Sequence, residues 1–157
     1  MAINASHRNE AKLPGVDLSP AIHATADATG LAACGILLVA VPAQTVRGVL
    51  QVIAPHLRRG TRLVMTAKGL ERGTDAFMTD VMAEVCPAVE PLVLSGPSFA
   101  DDVVRGLPTA VTLAARTLEV AEEVAAALSL PTFRLYLSDD LVGVQIGGAV
   151  KNVLAIA

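Results

Sequence analysis

Two lysines and a serine lie beside glycines in this chain, a combination that suits the binding of a small anion. Lys151 follows the adjacent pair Gly147 and Gly148 by one helical turn, while Lys68 and Ser98 each lie close to a glycine in a turn. Two adjacent glycines inside a helix cost roughly 1 kcal/mol each relative to alanine, so a packing or binding role is needed to explain them. Glycines let a ligand approach the backbone, and lysine attracts phosphate. These residues therefore suggest a site for a phosphorylated small molecule.

Each of these residues also has a purely structural interpretation. Lys68 and Lys151 could be solvated surface lysines, and the glycine pair could mark close packing of a helix. Ser98, followed by Asp101 three residues later, fits a capping box, in which the serine caps a helix and contacts no ligand. Gly96 could serve only a tight turn. The elements that carry these residues distinguish the two interpretations.

Strands and helices alternate along the sequence with short connections, which is typical of an α/β fold. The run of residues 36–41 is continuously apolar and ends at Pro42, as expected for a strand buried on both faces. The predicted strands are residues 35–41, 62–67, 91–95, 109–115 and 132–137. The predicted helices are residues 43–57, 74–85, 98–105 and 118–128, with a last helix from about residue 139. This order predicts a doubly wound, mostly parallel sheet with helices on both faces.

The unusual polar residues follow three of these strands. Ligands in such sheets bind beyond the carboxyl ends of the strands. The strand-end clusters are Pro42-Ala43-Gln44, Lys68-Gly-Leu-Glu71 and Gly96-Pro-Ser-Phe-Ala100. We therefore expect Lys68, Lys151 and the helix N-terminus at Ser98 to meet over one pocket, where the partial positive charge of the helix terminus adds to that of the lysines.

The last predicted helix has two unlike faces. An apolar stripe at helical spacing is predicted to face a core, and its members are Val142, Ile146, Ala149, Val153 and Ile156. The opposite face carries Val144, Gly147, Gly148, Lys151 and Ala155. If the stripe is buried, the lysine and the glycines lie on the open side of the helix.

Composition narrows the classes of partner. Hydrophobic residues make up 53% of the 157 residues and charged residues 17%, below the usual 25% or so, which indicates apolar surface covered by more chain or by another subunit. The net charge is −3 and no basic cluster occurs, so nucleic acid is a poor partner. No apolar run approaches the roughly 20 residues of a membrane span, so no membrane insertion is expected.

Cysteine and histidine usage indicates the compartment and argues against a metal. Cys34 and Cys86 stand apart with no Cys-x-x-Cys motif, and no signal-peptide pattern is found, which favours reduced thiols in the cytoplasm. His7, His23 and His56 are scattered among unlike neighbours. We predict no metal site.

Five segments together resemble the NAD(P)-dependent glycerol-3-phosphate dehydrogenases of the bacterial type. The segments are Leu38-Val-Ala-Val-Pro42 with Gln44, Thr66-Ala-Lys-Gly-Leu-Glu71, Ser95-Gly-Pro-Ser-Phe-Ala100, Gly106-Leu-Pro-Thr-Ala110 and Ser138-Asp-Asp-x-x-Gly-Val-Gln-x-Gly-Gly-Ala-Val-Lys-Asn152. They occur in the order and at about the spacing of that family, and the resemblance extends from about residue 13 to residue 157.

The resemblance implies a fold, a reaction and a cellular role. Residues 1–138 would form part of a Rossmann-like dinucleotide-binding domain, and residues 139–157 the first helix of an α-helical substrate domain. The reaction would interconvert sn-glycerol 3-phosphate and dihydroxyacetone phosphate with NAD or NADP as cofactor. It would belong to carbohydrate metabolism and supply a precursor of glycerophospholipids, in a cytoplasmic homodimer.

The resemblance also implies a role for each site residue. Lys151 matches the general base or acid at the C2 hydroxyl, and Asn152 would orient that site. Lys68 matches a lysine close to both substrate and nicotinamide, and Gly96 and Ser98 match substrate contacts. The implied cofactor contacts are Pro42, Lys68 and Ala100.

The sequence departs from that family's pattern at both ends. It contains no Gly-x-Gly-x-x-Gly motif to hold the dinucleotide pyrophosphate, and residue 157 lies inside an apolar helix with no cap. We therefore expect a chain truncated at both ends and inactive alone. Two alternatives stay open, namely a folded fragment that serves as a non-catalytic oligomeric module, and a related two-domain dehydrogenase acting on a different hydroxy acid.

Overall fold

The computed structural model describes residues 2–154, with side chains described for residues 3–151. Within this range five strands form one sheet: β1 Ile36–Val39, β2 Arg62–Met65, β3 Glu90–Ser95, β4 Thr109–Ala114 and β5 Phe133–Ser138. The α-helices are α1 Ala2–Ser6, α2 Val46–Ile53, α3 Met78–Val85, α4 Ala100–Val104, α5 Leu118–Leu128 and α6 Leu141–Leu154. Short 3₁₀ helices cover Ala28–Ala33, Ala43–Thr45 and Ala54–His56.

The sheet is mostly parallel, as predicted. The strand order is β1-β2-β3-β4-β5, and every neighbouring pair is parallel except β3 and β4. The carboxyl ends of β1, β2 and β3 therefore share one edge, which we call the carboxyl edge. Because β4 runs the opposite way, its last three residues pair with the last three of β3, with Ser95 opposite Thr112.

Helices cover both faces of the sheet, because alternate strand residues point to opposite sides. In β2, Leu63 and Met65 belong to one core cluster and Val64 to the other, and all three are fully buried. The first cluster lies beneath α2, α3 and the start of α6, and the second beneath α5. Each fully buried aliphatic side chain contributes roughly 1.5–3 kcal/mol to folding. The doubly wound arrangement predicted from the sequence is confirmed.

The helix predicted for residues 118–128 is confirmed as α5, but the helix predicted for residues 74–85 begins later, at Met78. The residues before it form a turn. The Thr74 hydroxyl donates to the Glu71 carboxylate at 2.6 Å, and Leu70 and Phe77 form an antiparallel bridge. These contacts hold the backbone out of the helical conformation until residue 78.

The apolar stripe of α6 does not face the core, which corrects the prediction for the described part of this helix. Val142 is 50% exposed and Ile146 is 45% exposed. The side that packs on the sheet instead carries Leu141, Val144, buried Gln145 and buried Gly148. The physical reason is closeness of approach, since α6 crosses the end of β3 and a Cβ at Gly148 would lie 2.6 Å from Ser95 Oγ. Val153 and Ile156 lie outside the residues whose side chains are described.

No helix within residues 2–154 is long and apolar enough to cross a membrane. Both cysteines are free thiols, Cys34 exposed and Cys86 buried, and burial raises the pKa of the Cys86 thiol. In the described range, no three His, Cys, Asp or Glu side chains come together as metal ligands.

Candidate active site

A cavity of about 220 Å³ lies at the carboxyl edge, where α6 crosses the end of β3. Its lining residues are Lys68, Ser95, Gly96, Thr112, Val144, Gly147, Gly148 and Lys151. We call it the α6 cavity. Both lysines singled out in the sequence line it, although 83 positions separate them in the chain (151 − 68). The structure thus brings Lys68, Gly96 and Lys151 together, while the chemical role of each residue stays a prediction.

Lys68 is held in place by a hydrogen bond to the neighbouring strand end. It follows β2, is half-buried, and its Nζ donates to the Gly96 carbonyl oxygen at 2.8 Å. The bond ties the turn after β2 to the turn after β3. The interpretation of Lys68 as a freely solvated loop lysine is therefore wrong.

Gln44, in the 3₁₀ helix Ala43–Thr45, holds the turn that carries Lys68. The Gln44 amide nitrogen donates to the Leu70 carbonyl at 2.9 Å, and its amide oxygen accepts from the Arg72 backbone nitrogen at 2.9 Å. Sequence reasoning placed Gln44 at this edge, and the structure shows what it holds.

An ion-pair network closes the same turn on its outer side. The guanidinium of Arg47 donates to both Glu71 oxygens, at 2.8 and 2.9 Å, and to Glu84 at 2.8 Å. The Arg47 bonds, with a further one from Thr74, lower the pKa of Glu71 to about 2. Sequence reasoning missed Arg47, because its partners lie 24 and 37 positions away and no local pattern links them.

Gly96 is required by both its neighbour and its turn. Its backbone has φ +156°, and the Cβ of any other residue would lie 2.9 Å from the Cα of Val111. Such contact is closer than real side chains adopt, so a substitution here would push β4 away. The glycine therefore serves the turn, and its carbonyl also anchors Lys68.

Two sets of hydrogen bonds set the position of α6. The Asp140 carboxylate accepts from the Gly143 backbone nitrogen at 2.8 Å, which caps the start of the helix. Buried Gln145 donates to the Thr79 hydroxyl at 2.9 Å and accepts from the Thr79 backbone nitrogen at 3.1 Å. These bonds fix the rotation of α6 against the start of α3, so the exposed Lys151 reaches the cavity from the helix end. The sequence analysis included Gln145 only as part of the segment 138–152 and predicted no role for it.

The two glycines of α6 have different surroundings. A Cβ at Gly148 would lie 2.6 Å from Ser95 Oγ and 3.5 Å from Lys68 Cγ, whereas a Cβ at Gly147 would meet nothing within 4 Å. Gly148 therefore permits close packing on β3, and Gly147 leaves the mouth of the cavity open. The packing interpretation therefore holds for Gly148, while a binding role for Gly147 stays a prediction.

Three other predicted site residues, Pro42, Ser98 and Ala100, are not among the described residues that line this cavity, so Ser98 does not meet the two lysines there as predicted. Ser98 is exposed and is not part of the lining, and the capping box is not formed, since Phe99 is the N-cap of α4 and no side chain caps it. Ala100 is exposed at the start of α4. Pro42 is exposed and follows β1, before the segment that Gln44 ties to the Lys68 turn. The side chain of Asn152 lies outside the described residues.

A mostly parallel sheet with helices on both faces and a cavity at its carboxyl edge defines this chain as a Rossmann-like α/β protein. The family model described as "NAD-dependent glycerol-3-phosphate dehydrogenase N-terminus" matches residues 1–121. The chain belongs to this family.

Named relatives and a solved structure agree with this assignment. The chain is 58% identical to a glycerol-3-phosphate dehydrogenase [NAD(P)+] of Azorhizobium caulinodans over 153 residues, which are 98% of this chain and 47% of that protein. It is 49% identical to the protein of that name from Caulobacter vibrioides over 156 residues, 99% of this chain and 47% of that protein. The chain therefore spans about half the length of these curated relatives.

The crystal structure of glycerol-3-phosphate dehydrogenase from Coxiella burnetii superposes with a TM-score of 0.91 at 32% identity. The superposition covers 99% of this chain and 48% of the Coxiella burnetii chain. The backbone described above is therefore the fold of the corresponding half of that enzyme.

Proposed function

We propose that this chain is the part of a glycerol-3-phosphate dehydrogenase [NAD(P)+] that supplies two lysines to the substrate pocket. The complete enzyme would interconvert sn-glycerol 3-phosphate and dihydroxyacetone phosphate. The observation that carries the proposal is the meeting of Lys68 and Lys151 at one cavity of about 220 Å³. Two cations beside glycine turns suit a small phosphorylated ligand.

Lys151 is proposed as the residue that exchanges the proton of the reacting hydroxyl. Oxidation of a secondary alcohol to a ketone removes one hydride from carbon and one proton from oxygen. Lys151 would take that proton in oxidation and return it in reduction, and Asn152 would orient the group. General acid–base catalysis of this kind contributes typically 10²–10⁴-fold to a rate.

Lys68 and Gly96 are proposed to contact the substrate as one unit. Because Lys68 Nζ is bonded to the Gly96 carbonyl, its charge stands at a defined place in the lining. A positioned charge loses less freedom on binding than a mobile one. Ser98 is exposed two residues beyond Gly96, so it would contact only the part of the substrate that projects from the cavity.

NAD or NADP is proposed as the cofactor, which supplies the hydride acceptor when it is bound. Pro42 and Lys68 follow adjacent parallel strands at the carboxyl edge, the expected side for a nicotinamide. Ala100 is exposed on the next element and would contact the cofactor from there. The sequence has no glycine motif for the pyrophosphate, so the residues present fit only one end of a dinucleotide. We expect weak dinucleotide binding and no turnover from this chain alone.

We also propose the wider assignments made from the sequence. Residues 139–157 would begin the helical substrate domain, supported by the outward apolar side chains of Val142, Ile146 and Val150. The complete enzyme would work as a cytoplasmic homodimer and supply a phospholipid precursor. The two free thiols, Cys34 and Cys86, support the proposed cytoplasmic location.

A titration of the isotope-labelled chain with sn-glycerol 3-phosphate, followed by nuclear magnetic resonance, tests the proposal. We expect amide shifts at Gly96, Gly148 and Lys151, and loss of those shifts in Lys68→Gln and Lys151→Gln. Lys12, the remaining lysine of the sequence, is exposed and provides the matched control Lys12→Gln. Shifts confined to other surfaces, or equal binding by all four proteins, would contradict the proposed site.

A further inference from the structure

We infer that Ser95 and Thr112 form a pair of hydroxyls that binds the alcohol groups of the substrate within the α6 cavity. The inference rests on the proposed function and deepens it. The two lysines account for attraction of the phosphate, and the hydroxyl pair would distinguish a polyol phosphate from other phosphates of the same size.

The sheet register brings these two hydroxyls together. Ser95 is the last residue of β3, and Thr112 is its direct partner in antiparallel β4. Side chains of directly opposed residues project from the same face, with Cβ atoms about 4.5–5.5 Å apart. Both residues line the cavity. The pair is therefore a consequence of the one antiparallel junction in this sheet.

Both hydroxyls are available to a ligand. Each residue is half-buried, and among the described residues neither hydroxyl makes a hydrogen bond to protein. Other threonine hydroxyls near this part of the sheet are used internally: Thr66 donates to the Val39 carbonyl at 3.1 Å and Thr109 to the Leu107 carbonyl at 3.2 Å. A hydroxyl that faces a cavity without a protein partner gains most from a polar ligand.

The packing of α6 leaves space for one of these oxygens. Gly148 is the residue above Ser95, and a Cβ there would lie 2.6 Å from Ser95 Oγ. The same Cβ would lie 3.5 Å from Lys68 Cγ, so the Ser95 hydroxyl and the Lys68 side chain are close neighbours. A ligand in this cavity meets a cation and a neutral hydrogen-bonding group side by side.

This arrangement predicts discrimination by hydroxyl content. Lysine attracts a phosphate whether or not the attached carbon chain carries alcohols. A site whose polar groups are matched to a substrate hydroxyl disfavours the analogue that lacks it, because those groups are then left unpaired. The substrate class assigned to the pair is a small phosphate ester with free hydroxyls on its carbon chain.

The test compares two ligands on this chain by nuclear magnetic resonance titration: sn-glycerol 3-phosphate and n-propyl phosphate, which has the same carbon count but no hydroxyl. Wild type should bind the glycerol ester several-fold more tightly. Ser95→Ala and Thr112→Val should each reduce this preference by roughly 2- to 10-fold, the range for one hydrogen bond, and leave propyl phosphate affinity unchanged.

Three further variants serve as controls. Thr112→Ser keeps the hydroxyl and should keep the preference. Ser129→Ala and Thr132→Val are matched changes at exposed residues outside the cavity, and should behave as wild type.

The possible outcomes test the hydroxyl pair and the lysine site separately. If wild type and variants show the same ratio of affinity for sn-glycerol 3-phosphate over n-propyl phosphate, the proposed role of the hydroxyl pair is wrong, and the proposed lysine site is unaffected. If wild type binds neither ester at the cavity, the proposed function of this chain fails and the hydroxyl pair fails with it. A variant that binds propyl phosphate less tightly as well has lost general structure, which also contradicts a selective role.

Discussion

Helices α3 and α6 lie on the same face of the sheet and pack on it in opposite ways. In α3 the apolar residues Met78, Val81 and Met82 are fully buried. In α6 the packed side carries a glutamine and a glycine, while Val142 and Ile146 are exposed. The difference shows that α3 serves the core, whereas α6 is placed to bring a cavity and Lys151 to the end of β3.

The largest expected effect concerns the end of α6. Lys151→Ala in the complete enzyme should lower turnover by roughly 10²–10⁴-fold while leaving cofactor affinity nearly unchanged, because the role proposed for Lys151 is proton exchange with the substrate and not contact with the dinucleotide. Steady-state kinetics and a cofactor titration measure the two quantities. Wild-type turnover in the variant would remove Lys151 from the mechanism.

Two side-chain truncations, one in each helix, test the contrast between the helices directly. Met82→Ala in α3 should lower the free energy of unfolding by about 2–5 kcal/mol, because it leaves a cavity in a closed core. Ile146→Ala in α6 should cost under about 1 kcal/mol in this chain, because that side chain is 45% exposed. Urea denaturation measures both. Equal losses would mean that the outward face of α6 is covered.

The two glycines of α6 sharpen the comparison within one helix. Gly148→Ala should leave the chain less stable than Gly147→Ala by roughly 1 kcal/mol, because the new Cβ would lie 2.6 Å from Ser95 Oγ and that hydroxyl must turn away. Gly147→Ala should stabilise it by up to about 1 kcal/mol, because the position is sterically free and alanine favours helix. Thermal unfolding of the two variants gives the signs. Destabilisation by both changes would show that the space at residue 147 is needed.

The smallest effect is a pH dependence at the turn that holds Lys68. Hydrogen bonds from Arg47 and Thr74 lower the pKa of Glu71 to about 2, from about 4.5 in the unfolded chain. A lowered folded-state pKa means that Glu71 stabilises the fold above about pH 4.5, and that this contribution is lost as the pH falls towards 2. Urea midpoints over this range should fall less steeply in Glu71→Gln than in wild type. Parallel curves would contradict the role of this carboxylate.

Local patterns predicted the elements that depend on local physics. The run of residues 118–128 became α5 with Thr117 as its cap, because hydrophobic spacing and capping both act within a few residues. The start of α3 was misplaced because the contacts of Thr74 and Phe77 with residues before the helix compete with it. The capping box at Ser98 was wrong for a related reason, since α4 begins at Ala100, after an extended Phe99.

The sequence by itself determined the alternation of strands and helices, the parallel edge and the presence of two lysines near glycines. These depend on apolar periodicity and on backbone freedom, which neighbouring residues dictate. Tertiary structure alone decided which side of α6 is packed, because Gly148 packs against Ser95, a residue 53 positions away (148 − 95), so closely that an added Cβ would lie 2.6 Å from its oxygen. It also decided that Ser95 faces Thr112, since strand pairing across the antiparallel junction joins residues that no local pattern connects.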